Sequence, residues 1–176
     1  MRGFNQNIFS KQYEVTVINK RNIRSINDHN VWNELHRLKP DIIYIHLGIN
    51  DISDGRPTAK ILDDLDYFIK KVLTRTTSKV VYSSVLPSTK SYVQDLINHY
   101  NDGVLNICDE IRINDSNRDR LFINHNSNFL TKTENGPSMM NHDMVGRDKV
   151  HLNERGTKVI MGNLKFALNS LTQTRK

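Results

Sequence analysis

Two short blocks hold residue types whose chemistry could be joint. In "GIND", residues 48 to 51, a glycine is followed two positions later by an asparagine and then an aspartate. A carboxamide donates hydrogen bonds without carrying charge. Aimed at the oxygen of a tetrahedral intermediate, it stabilises charge that exists only in the transition state, an effect of about 3–4 kcal/mol. Gly48 lets the backbone turn sharply or approach a ligand closely. Asn50 is therefore a candidate oxyanion donor, with a turn-forming or helix-capping Asn-Asp pair as the equal alternative. In "GRDKVHLNERG", residues 146 to 156, Asp148 stands three residues before His151. A carboxylate close to an imidazole fixes its tautomer and stabilises the imidazolium, which makes His151 a candidate general base. At that spacing the two side chains can meet within one turn, and Asn153 then caps the helix that follows or nearly so.

The elements around these blocks must bring them together. "DIIYIHL", residues 41 to 47, is apolar on both faces, the pattern of a strand buried in a parallel sheet, and "GIND" follows directly at its carboxyl end. Before it, "YEVTVIN" (13–19) alternates as a strand does. "SINDHNVWNELHRLK" (25–39) places Ile26, Trp32, Leu35 and Leu38 at near-helical spacing until Pro40 stops the helix. A helix opening near Thr58 carries Ile61, Leu65, Phe68, Ile69 and Val72 on one face. "KVVYSSVLP" (79–87) reads as a third strand, Ser91 to Ile111 as a helix and "RLFIN" (120–124) as a fourth strand. A last helix carries Val159, Ile160, Leu164 and Leu168. Strand alternating with helix implies βα units on a mostly parallel sheet covered on both faces, and such sheets gather ligands at the carboxyl ends of their strands. The polar segment 124–147, with Met139 and Met140, overhangs that edge in this reading, as a substrate lid or as a disordered connector.

A chain of 176 residues is expected to be a single domain, 1–176. At 37% hydrophobic and 25% charged residues it lies outside the composition of disordered chains. No apolar run reaches the ~20 residues of a membrane span, and "MRGFNQNIFSKQ" lacks the apolar core of a secretory signal, so the sequence reads as soluble. The lone Cys108 lies in helical sequence and reads as a small core residue. A net charge of +6 would suit an acidic partner, but Lys and Arg are spread along the chain, so nucleic acid is not the expected partner.

Taken together, Gly-x-Asn-Asp after a middle strand and Asp-x-x-His about a hundred residues later, ahead of a last amphipathic helix, resemble the SGNH hydrolases, also called GDSL-type esterases. The resemblance implies a three-layer α/β/α sandwich of flavodoxin-like kind. It also implies acyl ester hydrolysis by Ser-His-Asp chemistry without metal or organic cofactor, and a small ester or acylated substrate. By that likeness Gly48 and Asn50 match the family's glycine and oxyanion asparagine, and Asp148 and His151 its acid and base. The family's nucleophile, a serine in Gly-Asp-Ser after the first strand, has no counterpart here. The chain is accordingly expected to start just downstream of it, as a truncated and weakly active or inactive pseudoenzyme missing the first strand. In the family that strand lies between the second and third, so the sheet is expected either to close up, with Val15 and Val17 beside Ile43 and Ile45, or to be marginal. The family's second glycine block reads "NKRNIRS" here, leaving the N–H groups of Arg21 or Asn22 to serve. Ser53, Ser83 and Ser84 are weighed as substitute nucleophiles and read as turn or strand polarity, and His36 and His46 as surface or packing residues. The alternatives are a non-catalytic binding module on the same fold and a metal-dependent nuclease using His142, Asp143, Asp148 and His151.

Overall fold

The computed structural model describes residues 13–114, 118–133, 136–147 and 151–172. Three parallel strands, β1 (Ile42–Ile45), β2 (Lys79–Ser83) and β3 (Leu121–Asn124), form the main sheet in the order β1-β2-β3, with Ile43 opposite Val80 and Val80 opposite Leu121. The helix α1 (His29–Leu38) precedes β1, a single-turn α2 (Ile49–Ser53) and α3 (Thr58–Arg75) connect β1 to β2, α4 (Ser91–Asn114) connects β2 to β3, and α5 (Glu154–Thr172) closes the described chain. The result is the expected α/β/α sandwich. Lys39 takes a left-handed conformation at the end of α1, and Pro40 prevents any continuation. The first helical residue of α3 is Thr58 itself, after Pro57, without a side-chain cap.

The alternation of the strands sorts their side chains onto two cores. Ile45, Val80, Tyr82 and Leu121 meet α1, α3 and α4, where Trp32, Leu65, Phe68 and Ile69 are buried. Cys108 lies in this core, where burial pushes its thiol pKa up to about 11 and leaves it a small apolar filler. Ile42 and Tyr44 turn to the other face and join Phe129, Met140, Met144, Ile160 and Leu164 beneath α5.

Two expectations are corrected. Residues 13–19 form no strand: Tyr13 to Lys20 make no ladder with β1 or any other described strand, and Val17 and Ile18 are exposed. Alternating sequence favours an extended chain, but a strand exists only where a neighbour supplies ladder hydrogen bonds. The sheet has not closed up with Val15 and Val17 beside Ile43 and Ile45, and β1 has a partner on one edge only among the described residues. The segment 124–147 is not the disordered connector weighed as one alternative, because its described residues build structure. An antiparallel hairpin, β4 (Leu130–Thr133) and β5 (Gly136–Met140), buries Met140 beside Phe129 and α5, and Asn141 N–H donates to Phe129 O at 2.7 Å. Among the described residues no helix is long and apolar enough to cross a membrane.

Candidate active site

Gly48 opens the loop at the carboxyl end of β1. Its φ of +123° lies where only glycine is at ease, and a Cβ there would stand 2.9 Å from Val85 Cγ2 and 3.0 Å from the Tyr100 ring. The turn leads straight into α2, whose first hydrogen bond runs from Ile52 N–H to Gly48 O at 3.0 Å. Asn50 is exposed in that helix. One N–H of its amide donates to Arg21 O at 2.7 Å, and the other has no acceptor among the described residues. Asp51, beside it, is buried and structural: it accepts from Ile23 N–H at 2.8 Å and from Arg56 Nη1 at 3.1 Å, while Arg56 also pairs with Asp64. Asn50 and Asp51 thus both hold the 21–23 loop, at Arg21 O and at Ile23 N–H. This brings the backbone of Arg21 and Asn22 to the edge where a second oxyanion donor was expected. Asn22 N–H faces Ser25 Oγ at 3.4 Å, and Arg21 N–H has no acceptor among the described residues.

His151 lies in the loop ahead of α5, exposed, with its carbonyl accepting from Gly146 N–H at 2.8 Å and the next residue bridging antiparallel to Val145. Asn153 clamps this loop. Its Oδ1 accepts from Gly156 N–H at 2.9 Å, which caps α5 as the sequence suggested, and its Nδ2 donates to the carbonyls of Asp143 (2.8 Å) and Val145 (3.0 Å). Gly156 permits the clamp because a Cβ there would fall 2.2 Å from Met144 O. Asp148 lies outside the described residues.

The polarity of α5 decides where His151 stands. Lys79, the first residue of β2, donates to Leu171 O near the end of α5 at 2.9 Å, so the helix runs antiparallel to the strands. Midway along it, Asn163 donates to Asn126, two residues beyond β3, at 3.0 Å. The turns before Asn163, about 13 Å of helix, therefore lie at and beyond the carboxyl edge of the sheet. The loops of Asn50 and His151 share that edge.

The other polar candidates are otherwise engaged. His46 Nδ1 and Ser83 Oγ share a hydrogen bond of 3.1 Å, and Asn126 donates to the same Oγ at 3.0 Å. Burial lowers the His46 pKa to about 4, so the ring is neutral. Ser83 is fully buried, and Ser84 Oγ accepts from Asn126 N–H at 3.1 Å, which leaves both in supporting roles. Among the described residues no three His, Cys, Asp or Glu side chains converge as a metal-binding group. Sequence reasoning missed Arg56, which pairs with Asp51 from the loop after α2 and also with Asp64 of α3, and Tyr82 and Tyr100, which reach the "GIND" turn from β2 and α4. Only the carboxylate of Asp51, next to Asn50, offered a signal.

The model of the GDSL-like Lipase/Acylhydrolase family matches residues 2–159. Among solved structures the chain is similar to a carbohydrate esterase family 3 protein from Talaromyces cellulolyticus, at 19% identity and a TM-score of 0.68 over 88% of this chain and 70% of that one. It is also similar to the psychrotrophic esterase EstA from Pseudoalteromonas sp., at 13% identity and a TM-score of 0.64 over 96% of this chain and 85% of that one. A third likeness is to TesA, at 14% identity and a TM-score of 0.66 over 94% and 84% of the two chains. At these identities the likeness is one of fold. None of the curated proteins matches the chain.

Proposed function

Because the chain belongs to the GDSL-like lipase/acylhydrolase family, we propose that it is an SGNH-type ester hydrolase domain whose oxyanion donor is Asn50 and whose general base is His151. The observation that carries this reading is the shared edge: an asparagine amide with one uncommitted N–H at the end of β1, and a histidine loop held at the same end of the sheet by the polarity of α5. In the reaction so assigned, a serine hydroxyl attacks the ester carbonyl and His151 takes its proton. Asp148 orients the imidazole, Gly48 gives the turn its shape, and Asn50 with the Arg21 N–H receives the oxyanion. No metal or organic cofactor takes part.

No Gly-Asp-Ser occurs in the 176 residues, so these residues by themselves hydrolyse esters weakly or not at all. The edge of β1 that faces away from β2 has no described strand partner, and a strand bearing the serine would pair there. The test is p-nitrophenyl acetate turnover by the chain alone and by a version carrying a Gly-Asp-Ser strand joined ahead of it. Turnover in the second only, lowered about 10²–10⁴-fold by His151→Ala and about 10²–10³-fold by Asn50→Ala, is expected. Turnover indifferent to both substitutions would overturn the assignment.

A further inference from the structure

We propose that the Tyr82 hydroxyl, together with the Tyr100 ring packed against Gly48, is the device that positions the Asn50 amide. This rests on Asn50 being the oxyanion donor. Tyr82 OH stands 2.7 Å from Leu47 O, the last carbonyl before Gly48. A carbonyl can only accept, so Tyr82 donates to it. In the Tyr82–Tyr100 contact of 2.8 Å, Tyr100 is therefore the donor, and the direction of both hydrogen bonds is settled. Both rings are fully buried, so no water can take over either bond.

The two tyrosines reach the turn from different sides. Tyr82 comes from β2 and fixes the plane of the peptide entering Gly48. Tyr100 comes from α4, and its ring edge occupies the space a Cβ on Gly48 would need. With the carbonyl held on one side and the ring pressed on the other, the φ of Gly48 is set. Gly48 O then receives Ile52 N–H, and α2 starts in one direction only. Asn50 is the second residue of that helix, so its amide inherits the aim of the turn. Neither hydroxyl touches the oxyanion position; they act through the backbone.

The fixed donor direction makes the two hydroxyls unequal, and this is what an experiment can read. Tyr82→Phe strips Leu47 O of its donor. Tyr100→Phe leaves the Tyr82 bond to Leu47 O intact. In ¹H–¹⁵N NMR spectra of the chain, Tyr82→Phe is expected to displace the Gly48 and Ile49 amides and the Asn50 side-chain pair beyond the displacement seen in a control, Tyr67→Phe, at an exposed tyrosine of α3. Tyr100→Phe is expected to leave them within the control's range. Equal displacement by both, or by neither, would overturn the proposal. Should Tyr82→Phe not fold, the Tyr82 hydroxyl proton of the unsubstituted chain decides: a slowly exchanging resonance in contact with the Leu47–Gly48 backbone supports the mechanism, and one exchanging freely with water overturns it. In the serine-bearing version, Tyr82→Phe is expected to lower kcat about tenfold or more with KM little changed. Displaced Asn50 signals with unchanged kcat would support the positioning and overturn the oxyanion role on which its catalytic use rests.

Discussion

Two residues next to each other in sequence divide the work at the end of β1. Asn50 is exposed, with an amide N–H to offer. Asp51 is buried, holds the 21–23 loop through Ile23 N–H, and is itself held by Arg56. Asp51→Ala leaves the buried Ile23 N–H without its acceptor and takes from Arg56 one of its two carboxylates, and is expected to cost about 2–3 kcal/mol in urea unfolding, where a solvent-facing Asx cap would cost about 1. His46 has a different signature. Its folded pKa of about 4 lies below the ordinary value of 6.5, so in acid the unfolded chain takes up the proton first. Stability from this residue is complete above about pH 7 and is lost as pH falls from about 6.5 towards 4, to a total on the order of 3 kcal/mol. Urea midpoints measured across that range should fall in the wild type and show a smaller decline in His46→Gln.

Elements then bring the candidate side chains to one edge. The strand β1 delivers "GIND" to the carboxyl edge, and α5 delivers His151 there because its far end is tied to the start of β2. Between α5 and the 3₁₀ turn His142–Met144, Asn153 gathers two carbonyls and one N–H. Asn153→Ala is expected to lower stability by about 1–3 kcal/mol and to speed hydrogen exchange at the Gly146 amide, which donates to His151 O. Unchanged exchange at Gly146 would show that the antiparallel bridge at Val145 and Leu152 holds the loop by itself. The hairpin β4–β5 adds Met140 to the core beneath α5, beside Met144 and Val145.

Across the whole molecule, burial is uneven. The α3–α4 side of the sheet contains side chains with no exposure at all, Ile61, Leu65 and Ile69 among them, whereas Val17, in the 13–19 segment that forms no strand, is 40% exposed. Ile69→Ala is expected to cost about 2–5 kcal/mol and Val17→Ala under about 0.5. A Val17 cost above 1 kcal/mol would mean that residues 13–19 are paired as a strand in solution. By itself the sequence determined the parts that depend on local pattern: the helix faces of α1, α3, α4 and α5, the apolar run of β1, and the two blocks carrying Gly48, Asn50 and His151. It erred at 13–19, because alternation reports a preference for extended chain while pairing depends on a neighbour elsewhere in the fold. The hairpin escaped for the same reason, since "LTKT" and "GPSMM" become strands only by pairing with each other over Phe129 and α5. Tertiary structure alone decided that Asp51 is buried, that Tyr82 reaches Leu47 O, and that the loops of Asn50 and His151 meet one edge of the sheet. Each of these joins residues far apart along the chain, and such contacts are set by packing, not by local sequence.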